Sequence, residues 1–112
     1  MKNTIPLFIF ILFFISCKKV NVAEGTPACI KSEVKKFSES KWTCPHAHVD
    51  EMQFQSNTVY VFDEGCSCCD VSTSVYDKNA KHIGTLGGFD GNTKINGQEF
   101  SSAIFIRTIW KK

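Results

Sequence analysis

Two periodicities divide this chain. Ile30, Val34 and Phe37 recur at i, i+4 and i+7, while Lys31, Glu33, Lys35, Lys36 and Glu39 cover much of the rest. That single apolar stripe predicts an amphipathic helix over about residues 27–40. Thr26-Pro27 supplies its start, with Thr26 as N-cap and Pro27 at the first helical position. After the helix the period drops to two. Met52 and Phe54 alternate with Gln53 and Gln55, a half-buried strand, and Ser56-Asn57 marks a turn. Thr58 to Phe62 is apolar on both faces and rich in β-formers, which predicts a central strand. Val71, Thr73 and Val75 alternate with serines in a third strand ending at Tyr76. Asp77 to Ala80 is a turn, and His82 to Leu86 a short fourth strand. Gly87-Gly88, Gly91 and Asn96-Gly97 punctuate a long loop before a last strand, Ala103 to Trp110. The expected architecture is α+β: one helix packed on an antiparallel meander of four to five strands.

The N-terminal pattern is of another kind. Lys2 precedes an uninterrupted apolar run of eleven residues, Ile5 to Ile15, which Ser16 and Cys17 follow. Eleven residues are too few for a bilayer span, which takes roughly twenty. An ordinary secretory signal would end in an A-x-A-like site, which Ile15-Ser16 matches poorly. A basic start, an apolar run and a cysteine at the cleavage position resemble a bacterial lipoprotein signal, with Phe14 where that pattern usually has Leu. On this reading residues 1–16 are a signal peptide, Cys17 is acylated, residues 17–26 are a tether and residues 27–112 form the domain. Several acyl chains would hold the protein firmly to a membrane. The Lys18-Lys19 pair, where an Asp would favour inner-membrane retention, points to the outer membrane, facing the periplasm.

Removing residues 1–16 leaves 96 of 112 residues, one small domain with a modest core. Twelve basic and eleven acidic side chains then remain. No basic stripe stands out, so the pattern gives no footing to nucleic-acid binding. Five cysteines remain besides Cys17: Cys29, Cys44, Cys66, Cys68 and Cys69. In an oxidising compartment such residues normally pair. Five is odd, so at most two bridges form within one chain, and spacing alone does not say which. A bridge from Cys29 to the 66–69 cluster would close a loop of about forty residues and contribute roughly 3–4 kcal/mol.

Four constellations could carry chemistry. Cys44-Pro45-His46-Ala47-His48 and Cys66-Ser67-Cys68-Cys69 hold thiol and imidazole groups, the ligands that Zn²⁺ and Cu⁺ prefer. His46, His48, Cys66 and Cys68 would make a four-ligand set, although the spacing matches no named zinc pattern and export favours disulfides. Cys66 and Cys69 form C-x-x-C, but Asp70 and a strand-like pattern follow where a redox motif needs a helix N-terminus. A free cysteine with His46, His48 or His82 could form a nucleophile pair, yet no local nucleophile signature accompanies them. Asp90 to Asn96 alternates oxygen-bearing side chains, but Ile95 stands where a calcium loop needs Gly and Ser101 where it needs Glu. No catalytic residue is assigned and no cofactor is expected, with Zn²⁺ or Cu⁺ as the alternative.

Several motifs belong together: Thr26-Pro-Ala-Cys-Ile30, Val59-Tyr-Val-Phe62 with Cys68-Cys-Asp70, Val75-Tyr-Asp77 with Leu86-Gly-Gly88, Phe100, and Arg107-Thr-Ile-Trp110. With them the chain resembles a family of small uncharacterised lipoproteins of Gram-negative bacteria, classed as a domain of unknown function, over most of residues 26–110. The resemblance implies a lipid-anchored single domain with an N-terminal helix and supplies no activity. This chain departs from it at Lys78-Asn-Ala-Lys81, where members often carry cysteines, and in the Cys44–His48 segment. The expected role is binding or accessory, through an envelope protein or ligand not named by the sequence. Trp42 or Trp110 would contribute to an exposed aromatic patch. An enzyme is the less favoured reading.

Overall fold

The computed structural model describes residues 20–67 and 71–112. The apolar run 5–15, Cys17 and the Cys68-Cys69-Asp70 triplet lie outside the described residues. Helix α1 spans Ala28–Glu39. Strands β1 (His48–Phe54), β2 (Asn57–Asp63), β3 (Ser72–Asp77) and β4 (His82–Gly87) follow. A miniature hairpin of β5 (Lys94–Ile95) and β6 (Gln98–Glu99) comes next, then a 3-10 turn, Phe100–Ser102, and β7 (Ile104–Lys111). The main sheet is antiparallel, in the order β4-β3-β2-β1-β7. This is the expected α+β domain with one helix. The first four strands form a meander. The last strand does not extend it but returns to the opposite edge, beside β1. Among the described residues no helix is long and apolar enough to cross a membrane.

The period-two pattern sorts side chains onto two faces. Val49, Tyr60 and Phe62 face α1 and pack with its stripe residues Ile30 and Val34. Phe37 completes that layer, edge-on to Phe62 at 5.3 Å and to Trp110 at 5.8 Å. Val59, Val61 and Val75 point the other way, where Phe54 and Ile95 close a second core. Strand β2 is therefore buried on both faces from Val59 to Phe62, as a central strand should be. The second core corrects the expected long loop. Its residues 94–103 fold over the sheet, Ile95 is buried, and Phe100 packs on Phe54 at 5.0 Å. Asn96 (φ 50°) and Gly97 (φ 75°) turn the miniature hairpin. In the β1–β2 connection, Phe54 pairs with Asn57 across a two-residue loop, Gln55 (φ 50°) and Ser56 (φ 65°). Positive φ at both central residues is the mirror-image turn that suits strand twist, so this turn sits one residue earlier than expected.

The helix start also differs from expectation. Pro27 occupies the cap position and accepts the first helical bond, from Lys31 at 3.0 Å. The Thr26 hydroxyl instead donates to the Ala23 carbonyl at 2.8 Å. The reason lies upstream. The Ala23 N–H donates to Ile109 at 2.9 Å, and Val20, Val22 and Ala23 pack against the helix-side core. Within the span read as a tether, residues 20–26 are thus seated on the domain, and Thr26 closes the turn that leads from them into α1. Arg107 secures the same segment, donating to the Glu24 carbonyl at 2.9 Å and pairing with Glu51 at 3.2 Å. Glu51 also accepts from the Tyr60 hydroxyl at 3.1 Å.

Candidate functional site

Five strand termini and the turn after α1 lie at one end of the sheet, and of the sequence-predicted site residues Cys44, His46, His48 and Cys66 are found there. Cys44 is bonded to Cys66. The Cys44 N–H also donates to the Glu64 carbonyl at 2.8 Å, so the two segments are tied by main chain as well. Gly65 makes that approach achievable. Its φ is +69°, and a β-carbon there would run into the peptide joining His46 to Ala47. Its N–H is held by the Asp63 carboxylate at 2.7 Å.

The histidines separate rather than converge. His46 is exposed in the turn, whereas His48 is the first residue of β1. His48 Nδ1 lies 2.9 Å from the His46 carbonyl and so carries the proton on that side. Its Nε2 faces Asp50 at 3.5 Å and Asp63 at 3.9 Å. Asp50 is further engaged by the Thr108 hydroxyl at 2.7 Å.

This arrangement bears on each of the candidate constellations. Cys66, read as a metal ligand and as half of a C-x-x-C pair, has its sulfur committed to Cys44, so no thiolate is offered there. Cys68, the fourth ligand of the expected set, and Cys69 lie outside the described residues. Among the described residues no group of three or more His, Cys, Asp or Glu side chains is arranged to hold a metal ion, the His48, Asp50 and Asp63 grouping included. Cys29 does not bridge to Cys66. It is an exposed free thiol at the start of α1, near the opposite end, and donates to the Lys78 carbonyl at 3.3 Å. His82 packs edge-on to Tyr76 at 5.3 Å and meets Thr85 at 3.2 Å, with no cysteine beside it among the described residues. In the 90–96 segment, Asn92 Nδ2 donates to the Thr85 and Lys94 carbonyls at 2.7 and 2.8 Å. Its side chain builds the turn rather than a cation loop.

The two tryptophans have opposite fates. Trp110 is in the core, whereas Trp42 is 77% exposed. Phe89 is also exposed, and so are three consecutive residues of the edge strand β7: Ile104 (67%), Phe105 (57%) and Ile106 (46%). Isolated exposed apolar residues are ordinary, but three in a row on a sheet edge form a surface of the kind that pairs or docks.

A feature with no local signal lies at the other end of the sheet. The turns at 55–57 and 77–79 and the tip at Asn96 surround a cleft of about 330 Å³. Phe54, Val59 and Ile83 line it, with Gln55, Asn57 and Asn79 among its polar residues. Asp77 lines it too, but its carboxylate is spent on the Asn79 and Lys81 N–H groups, at 2.8 and 2.9 Å. Lys78 lines it as well, so the cleft combines an apolar floor with amide, carboxylate and ammonium groups.

The family model described as "Domain of unknown function (DUF6970)" matches residues 35–112, a span that begins within α1 and takes in every strand. No curated protein and no solved structure matches the chain.

Proposed function

The chain belongs to that family, and from this premise we propose that it is a lipid-anchored protein of a Gram-negative cell envelope that works by binding a partner. The anchor is the acylated Cys17, and the location is the outer membrane, facing the periplasm. The reading is supported by the apolar run ending in Ser16-Cys17. It also agrees with the Cys44–Cys66 bond, which belongs to an oxidising compartment.

One observation carries the binding role: the uncovered Ile104-Phe105-Ile106 tract on edge strand β7. A β-bulge leaves Ile106 unpaired between the Met52–Phe105 and Glu51–Arg107 pairs, and a partner strand or groove at this edge would cover the tract. Two experiments test the reading. Cys17→Ala should abolish acylation, read as the mass of the N-terminal peptide; an acylated variant would end the anchor claim. A photo-crosslinking residue at Phe105 should give a discrete envelope adduct, and the same probe at exposed Lys35 on the helix should not. Equal labelling at both positions would remove the binding surface.

A further inference from the structure

We propose that the end of the sheet bearing Lys41, Trp42, Lys111 and Lys112 lies against an anionic lipid surface, with the Trp42 indole among the headgroups. The inference rests on the acylated-Cys17 reading and adds an orientation to it.

Chain length supplies the first constraint. The docked segment begins at Val20, which packs on the helix-side core, and Asn21 sits beside Trp110 and Lys111 in a shallow cleft. Only Lys18 and Lys19 separate Cys17 from Val20. Three residue steps reach at most about 11 Å. An acyl group on Cys17 therefore holds this end of the domain next to the bilayer and keeps the opposite end, with its cleft, far from it.

The second constraint is what this end presents. Trp42 is exposed, yet its base is fixed. Lys112 Nζ donates to the Thr43 carbonyl and hydroxyl at 3.0 and 3.1 Å, and the Lys112 N–H donates to Ala47 at 2.9 Å. The Trp42 N–H is bound to the Ser40 hydroxyl at 3.3 Å. An indole projecting from a pinned turn suits the membrane interface, where an apolar ring with one polar N–H is at home.

Charge points the same way. Lys41, Lys111 and Lys112 have no carboxylate partner among the described residues, whose Lys and Arg ion pairs involve Lys36 and Arg107 instead. The Lys41 and Lys111 ammonium groups, on the end that carries the exposed indole, complement anionic lipid, while that of Lys112 is held on Thr43. Phe89, two residues beyond the end of β4, projects from the same end of the sheet.

The geometry then sets the rest of the molecule. The strands run away from the membrane, and Phe105 stands roughly 20 Å along β7 from Lys111.

The test uses the full-length protein reconstituted into vesicles of phosphatidylethanolamine and phosphatidylglycerol, with and without brominated acyl chains. Brominated lipid should quench part of the wild-type tryptophan emission. The quenching should vanish in Trp42→Phe, whose remaining emission comes from buried Trp110. It should weaken on phosphatidylcholine vesicles that carry no anionic lipid. The mass of the Cys17 peptide is measured on the same samples. Acylated protein whose quenching is absent, unaltered in Trp42→Phe or equal on phosphatidylcholine would overturn the orientation and leave the anchor standing. Unacylated Cys17 would remove the anchor and the orientation together.

Discussion

Gly65 lies flush against the main chain of His46, with no room for a side chain between them. The contact joins the end of β2 to the turn before β1, one residue from the Cys44–Cys66 bond. Gly65→Ala would add a β-carbon inside that peptide and place Ala at a φ that L residues rarely adopt. The expected loss is about 3 kcal/mol, a fall in Tm of at least roughly 10 °C for a domain of this size. Thermal unfolding by circular dichroism reads it; an unchanged Tm would mean the two segments are not packed this closely.

The Cys44–Cys66 bond should be worth about as much. The two residues are 22 apart in sequence, and closing a loop of that length contributes about 3 kcal/mol on the chain-entropy account. The Cys44→Ser/Cys66→Ser protein should therefore unfold at a clearly lower denaturant concentration than wild type. Reduction of wild type should reproduce the shift. If the double variant matches oxidised wild type, the bond is not a stabilising one.

Alkaline titration probes the helix-side core. Burial, and after it the Glu51 carboxylate, push the Tyr60 hydroxyl from 10.0 up to about 12. The folded state thus resists an ionisation that the unfolded chain undergoes near pH 10. Stability held by this group is complete below about pH 10 and lost as pH rises towards 12. Tyr60→Phe removes the titrating group. It should cost about 1–2 kcal/mol at neutral pH, through the lost bond to Glu51. Its stability should then decline less steeply above pH 10 than that of wild type. Parallel alkaline curves for the two proteins would refute the assignment.

A coupled pair tests the second core. A β-carbon on Gly84 would stand 2.6 Å from Ile95 Cδ1, too close to coexist without movement. Gly84→Ala should cost about 1–3 kcal/mol by overpacking. Ile95→Val removes that methyl and should cost about 1 kcal/mol on its own. Together they should cost less than the sum, because the second change opens the space the first requires. Strict additivity in urea unfolding would place the two side chains apart.

The parts legible in the sequence are those set by neighbours within a few positions. Ile30, Val34 and Phe37 announced a helix face, and the unbroken run from Val59 to Phe62 announced a strand covered on both sides. Partnerships across long separations were not legible. Nothing local to Ile104–Lys111 says that this strand leaves the meander and pairs with β1, more than fifty residues earlier. The 94–103 segment reads as loop because its strands are two residues long and its one fully buried residue, Ile95, has no periodic companions. At the candidate site the cysteine and histidine types were visible, but Cys44 reaching Cys66 depends on Gly65 letting two backbones touch. The cleft has no local signal in the sequence, because three separate turns make it. Trp42 and Trp110 are chemically equivalent in a sequence, and only packing assigns one to solvent and the other to the core.

The return of β7 to the far edge has a kinetic consequence. Until residues 104–111 are available, β1 has an open flank, Glu51 lacks Arg107, and residues 20–24 have no strand to lie on. The earliest described segment of the chain therefore waits for the latest strand, and the closing contact spans more than eighty residues, from Glu24 to Arg107. Contacts of such separation are slow to form, because a long stretch of chain must be brought to order before they give anything back. A chain cut short before residue 104 is thus expected to stall as a four-stranded intermediate with an uncovered edge, and completion of the domain becomes a single late event rather than a gradual accretion.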